Sequence, residues 1–136
     1  MTSQTKTDPG SARLSILIVD DSTTMRLMIR RALAIAAPEA DVSEAANGRD
    51  ALGVLEARMV DAVFTDINMP DMTGPDLLRE IDRRGWRHVR RVVISTDGSD
   101  ARRQEMQDLD VLAYVTKPFA PEDMLDVLAR LQQDRR

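Results

Sequence analysis

From Leu14 onward the chain alternates short apolar runs with longer stretches whose apolar residues recur every three or four positions. The runs Leu14 to Val19, Asp41 to Glu44, Ala62 to Thr65, Arg91 to Ser95 and Val111 to Thr116 have strand length, and the spacing between and after them predicts five helices. The first helix repeats Met25, Met28, Ile29, Ala32, Leu33 and Ala36 on one face, can be capped by Ser22 or Thr23, and has ended by Pro38. The second uses Ala51, Leu52 and Leu55. The third opens with Pro75 and buries Leu77, Leu78 and Ile81, and the last opens with Pro121 before Met124, Leu125, Leu128 and Leu131. The fourth, around Ser99 to Asp108, is mostly charged or amide-bearing, with Ala101 and Met106 as its clear apolar anchors. It is expected to pack loosely and to move.

Strict alternation of strand and helix implies parallel pairing, right-handed crossovers and a three-layer α/β sandwich. The third and fifth runs are nearly continuous in apolar residues, the mark of strands covered on both faces. Residues 1–13 are rich in Ser, Thr, Lys, Pro and Gly without periodicity and are expected to be a disordered leader. A single domain over 14–133 follows, with no output module expected after it.

Composition narrows the classes. The 136 residues suit one core, and no apolar run approaches the roughly 18 residues of a membrane span, so membrane insertion is not expected. There is no cysteine, hence no disulfide framework and no thiolate metal site. The start Met-Thr-Ser-Gln-Thr-Lys lacks the apolar core of a secretion signal, so a cytoplasmic address is expected. A net charge of -4 argues against nucleic acid as a partner, because duplex binding rests on basic residues neutralising phosphates.

The candidate chemistry stands at the strand ends. Asp20 and Asp21 close the first run, Asp66 closes the third, Ser95 ends the fourth and Lys117 follows the fifth. In an open parallel sheet the carboxyl ends of strands form the ligand-binding rim, so these positions converge on one pocket. Crowded carboxylates repel unless a cation or a proton relieves them, and hard oxygen ligands favour Mg²⁺. A carboxylate held there can attack phosphorus in line, with Lys117 neutralising the equatorial oxygens and the Ser95 hydroxyl donating from the other side.

The segments Val19-Asp20-Asp21-Ser22, Thr65-Asp66-Ile67-Asn68-Met69-Pro70, Ser95 and Lys117-Pro118-Phe119 resemble the receiver domain of bacterial two-component response regulators. Asp21-Ser22-Thr23-Thr24-Met25-Arg26 and Tyr114-Val115-Thr116-Lys117-Pro118-Phe119 look most like the single-domain chemotaxis regulators of the CheY type. Such regulators are themselves a standard example of the flavodoxin-like, doubly wound strand order 2-1-3-4-5 that the resemblance implies. It also implies that Asp66 is the phosphoacceptor, that Asp21, Asp66 and the Asn68 carbonyl bind Mg²⁺ with Asp20 acting through water, and that Lys117 pairs with the phosphoryl group across a cis Lys117-Pro118 bond. Ser95 and Tyr114 would form the switch, changing the surface of the fourth helix and fifth strand. Asn68, Thr96 and Asp97 would tune the lifetime of the aspartyl phosphate.

The implied partners are a sensor histidine kinase and a downstream protein, the flagellar motor or another effector. The implied state is a monomer or a weak phosphorylation-dependent dimer. Departures from the family pattern are Thr96, where Ala or Gly is usual and where a branched side chain would narrow access. A glycine-free stretch from Asp108 to Ala113 precedes the fifth strand, and Ile67 stands where an aromatic residue is common.

Other readings remain open at this level. Asp21 and Ser22 can serve as helix caps, Ser95 and Tyr114 as packing residues, and the methionines as fillers of helix core faces. His88 lies in the arginine-rich stretch 83–91, which reads as a solvated basic loop with Trp86 away from the pocket. A phosphorelay shuttle or phosphate sink would look the same as a switch. A haloacid dehalogenase-like phosphohydrolase would need a second Asp two residues after the nucleophile, where Asn68 stands, and a pseudo-receiver would lack an acidic ligand or the lysine.

Overall fold

The computed structural model describes residues 13–134, so the leader expected over residues 1–13 lies, apart from Arg13, outside the described residues. Five strands and five helices alternate: β1 (Ser15–Val19), α1 (Thr23–Ala36), β2 (Asp41–Ala45), α2 (Gly48–Ala57), β3 (Ala62–Thr65), α3 (Gly74–Arg83), β4 (Arg90–Ser95), α4 (Asp100–Gln107), β5 (Ala113–Thr116) and α5 (Pro121–Asp134). All pairings are parallel and the sheet order is β2-β1-β3-β4-β5, the flavodoxin-like arrangement. The chain runs outward from β1 to β2, then returns past β1 to β3. That reversal places the carboxyl ends of β1 and β3 side by side, in register at Val19 and Thr65.

Alternation along each strand divides the core in two. Leu17, Val19, Val63 and Val93 face α2, α3 and the buried Met106 of α4. Ile16, Ile18, Phe64, Val92, Ile94 and Val115 face α1 and α5 through Ile29, Leu33, Met124, Leu128 and Leu131. The helix starts are the ones the side chains dictate: Ser22 Oγ accepts from Met25 N at 3.1 Å, and Thr73 with Asp76 forms a reciprocal capping box ahead of Pro75.

Several expectations are corrected. Met28 of α1 and Leu125 of α5 are 47% and 50% exposed, because each stands at the edge of its helix's apolar stripe rather than over the sheet. Ala101 is exposed, leaving Met106 as the buried residue of α4. The methionines are not mainly on helix core faces: Met59 is exposed in the loop after α2, and Met69 is buried in the loop after β3. β5 is an edge strand in which Tyr114 and Thr116 are only partly buried, so its apolar run does not signal cover on both faces. It begins at Ala113 rather than Val111, because the glycine-free turn is made by Asp110 at φ 60°.

The basic stretch 83–91 is not wholly solvated either. Arg91 is 4% exposed and spans three elements, with Nη1 donating to the Leu109 carbonyl at 3.0 Å and Nη2 paired with Asp82 of α3 at 2.8 Å. His88 is exposed, and Trp86 packs against the α2–α3 side of the core with Arg84 5.2 Å from its ring centroid.

Candidate functional site

At the carboxyl edge of the sheet, ligand atoms of Asp20, Asp21 and Asp66 lie within 4.8 Å of one another. Lys117 Nζ stands 3.1 Å from Asp20 Oδ2 and 3.6 Å from Asp66 Oδ1. Each side chain arrives from its own strand end, and parallel register brings the four together: Asp66 N donates to the Val19 carbonyl, and Lys117 N donates to the Ser95 carbonyl. Asp20 is buried, with Oδ1 accepting from Ser22 N at 2.9 Å. Asp21 is exposed. The two capping readings therefore separate. Ser22 caps α1, while Asp21 faces the pocket mouth.

Burial pushes the Asp66 carboxyl above the usual carboxylate range, and the Asp20 and Asp21 charges add to that shift. Lys117 opposes it. Asp66 Oδ1 also accepts from Ile67 N at 2.8 Å, which fixes the rotamer. Three hard oxygen donors whose mutual repulsion Lys117 relieves only in part suit a small divalent cation better than a soft one, and Mg²⁺ fits this donor set. Lys117-Pro118 is cis, as the resemblance implies.

The other sequence-selected residues lie on the loops around this cluster. Asn68 is exposed in the β3–α3 loop, and Thr96 is exposed after β4. Ser95 is fully buried, and its Oγ accepts from Asp97 N at 3.1 Å. Tyr114 is partly buried, with its hydroxyl donating to the Asp97 carbonyl. Burial raises the phenol above its ordinary range, and the neighbouring Ser95 hydroxyl works against the shift. Asp97 thus bonds both Ser95 and Tyr114 through its own backbone.

Two supporting residues escaped the sequence reading. Arg26 Nη1 donates to the Asp20 carbonyl at 2.6 Å while its Nε holds Glu44 of β2 at 2.9 Å, so it fixes the β1–α1 turn that carries the acidic pair. Its place within the Asp21 to Arg26 segment was the available hint. Gly74 starts α3 against the backbone of Asp66: a Cβ there would lie 2.2 Å from the Asp66 carbonyl oxygen. Its N–H donates to the Ile67 carbonyl at 2.8 Å. Glycine immediately before a helix-opening proline, eight positions after Asp66, was the signal.

Comparisons with known proteins agree with this geometry. The model of the response regulator receiver domain family matches residues 16–129. Chemotaxis protein CheY1 of Helicobacter pylori is 35% identical over 118 residues, covering 85% of this chain and 94% of that protein. Chemotaxis protein CheY of Pseudomonas aeruginosa is 33% identical over 120 residues, covering 87% of this chain and 95% of that protein. Among solved structures, Vibrio cholerae chemotaxis protein CheY4 superposes with a TM-score of 0.80 at 30% identity, covering 88% of this chain and 99% of that chain. Among the described residues no helix is long and apolar enough to cross a membrane. The chain belongs to the response regulator receiver domains, CheY-like signalling domains of two-component systems that act between a histidine kinase and an effector rather than as enzymes.

Proposed function

We propose that this protein is a phosphorylation-controlled protein-binding switch whose phosphoacceptor is Asp66, charged by a sensor histidine kinase and serving chemotaxis or motility. The observation that carries this reading is the convergence of Asp20, Asp21 and Asp66 with Lys117 at the switch point of the sheet. The names of the chemotaxis relatives support the pathway.

In the proposed reaction a carboxylate oxygen of Asp66 attacks phosphorus, an O–P bond forms, and the P–N bond of the donor phosphohistidine breaks, returning the imidazole to the kinase. Acetyl phosphate can replace it, releasing acetate. Asp21, Asp66 and the Asn68 carbonyl would hold Mg²⁺, with Asp20 bound through water. When bound, the ion supplies charge neutralisation at the phosphoryl oxygens. Lys117 leaves its carboxylate partners for the new phosphoryl group, and the Ser95 hydroxyl donates to another of its oxygens. Water later cleaves the acyl phosphate and restores the carboxylate.

The switch is affordable in energy. Moving a two-state equilibrium from 1:99 to 99:1 takes about 5.5 kcal/mol, and hydrogen bonds to a charged group contribute roughly 1.5–3 kcal/mol each. Contacts from Ser95, Lys117 and nearby amides suffice. The readout would pass through Asp97, which bonds both Ser95 and Tyr114, to the α4–β5 surface. Asn68, Thr96 and Asp97 would set how long the phosphate lasts. The test is intact mass after acetyl phosphate and Mg²⁺: one phosphoryl adduct is expected in the wild type and none in Asp66→Asn. No adduct in the wild type, or equal adducts in both, would refute it.

A further inference from the structure

α4 has little apolar grip on the domain, since Met106 is its buried residue. A polar side chain makes up for this. Arg103 reaches from α4 across to β5, where Nη2 donates to Thr116 Oγ1 at 2.9 Å and Nε donates to the Gly98 carbonyl at 3.4 Å. Its guanidinium carbon stands 4.8 Å from the centroid of the Tyr114 ring. Among the described residues Arg103 pairs with no carboxylate, so the ring and these two oxygens are what place it. The ring it covers carries the hydroxyl that closes on the Asp97 carbonyl. A helix expected to pack loosely and to move thus holds the one aromatic residue of the proposed switch.

We propose that Arg103 is a latch on that switch: by covering the Tyr114 ring and gripping Thr116 and Gly98, it holds the phenol on Asp97 and ties α4 to β5 before any phosphorylation. The placement of the ring is a claim about geometry alone. Its signalling consequence, that Arg103 sets the resting population of the inward ring, rests on the switch reading given above. A cation over a ring at a partly exposed site biases a two-state ratio about two- to fivefold. The two hydrogen bonds hold the guanidinium over the ring and do not themselves depend on where the ring lies. Loss of Arg103 is therefore expected to raise the outward fraction of the ring by about two- to fivefold.

The chain has one tyrosine, so 3-fluorotyrosine incorporation gives a single ¹⁹F resonance that reports position 114. Its relaxation enhancement by a neutral gadolinium chelate reads ring accessibility in the full chain without a phosphodonor. The wild type is expected to be protected and Arg103→Ala to show a severalfold larger enhancement. Arg103→Met, which keeps bulk but no charge, should lie close to Ala, and Thr116→Val should give a smaller rise.

Equal enhancement in the wild type, Arg103→Ala and Arg103→Met overturns the latch. If Arg103→Ala folds poorly, Arg103→Met and Thr116→Val carry the test alone. Intact mass after acetyl phosphate and Mg²⁺ on the same samples separates the two readings. Phosphate uptake by the wild type with unchanged ring accessibility across the variants sinks the latch alone. Raised accessibility with no uptake by the wild type sinks the phosphoacceptor assignment and leaves the latch standing.

Discussion

Alanine substitution at two glycines should have opposite effects on stability. At Gly53, in the middle of α2, an added Cβ meets nothing within 4 Å. Alanine there removes the entropic cost of glycine in a helix and should stabilise the fold by about 0.5–1 kcal/mol. At Gly74 the added Cβ would sit 2.2 Å from the Asp66 carbonyl oxygen and 3.0 Å from the Ile67 Cα. A carbon needs about 3.3 Å from such an oxygen, so backbone must part by about 1 Å. Both obstructing atoms are main chain, and neither can rotate away. Overpacking of this kind costs about 1–3 kcal/mol, and loss of the Gly74 N–H bond to Ile67 costs about 0.5–1.5 kcal/mol more. The helix-propensity gain, small at a first-turn position, does not offset this, and the expected net loss is about 1.5–4 kcal/mol.

Urea unfolding measures both. With a slope of about 1–3 kcal/mol/M, Gly74→Ala should lower the midpoint by about 1 M, and Gly53→Ala should raise it by a fraction of that. Because the strain falls on the peptide of Asp66, the proposed phosphoacceptor, uptake from acetyl phosphate should also slow by on the order of 10–100-fold in Gly74→Ala. A Gly74→Ala protein with wild-type midpoint and wild-type uptake would refute the close-approach reasoning.

Asp110 holds φ 60° in the turn before β5, and Asp110→Gly should stabilise the fold by about 0.5–1 kcal/mol; a lower urea midpoint would contradict this. Glu44 bonds Arg30 first and Arg26 second, and these hold its carboxyl below the ordinary value of 4.5. A depressed folded pKa contributes stability above 4.5 that is lost as pH falls through the folded value. Glu44→Gln should therefore be less stable than wild type at pH 7 by up to about 1 kcal/mol, with the gap closing below pH 4.5 in parallel thermal melts. Lys117→Ala should still take some phosphate by intact mass. It should, however, lose the phosphorylation-dependent shift of the single fluorotyrosine resonance, and a full shift would remove Lys117 from the switch.

The pattern of apolar runs located every strand to within two residues, and caps and prolines marked the starts of the first, third and last helices, while the second was read only through Ala51, Leu52 and Leu55. The acidic triad and Lys117 were legible for a related reason: strand ends in a parallel sheet share one rim, so sequence order alone brings Asp20, Asp66 and Lys117 together. Face coverage was harder to see. The implied order 2-1-3-4-5 already put the fifth strand at an edge, but nothing in Tyr114-Val115-Thr116 shows that Tyr114 and Thr116 stay partly exposed. Arg91 and Arg103 were hidden because their roles depend on carbonyl, hydroxyl and ring partners 11 to 18 residues away, which hydropathy does not record. Gly74 was missed because a close backbone approach leaves no pattern beyond one small residue.

Arg91 ties the turn just after α4 to the sheet through the Leu109 carbonyl and to α3 through Asp82. An eight-residue helix is about 12 Å long. Moored at its C-terminal end, it can swing about that point far more easily than it can slide along its axis. A tilt of about 10° moves its opposite end by about 2 Å, and that travelling end adjoins Asp97 and Ser99 at the helix cap. Small changes at the carboxylate rim are thereby converted into leverage, largest beside the loop where they begin.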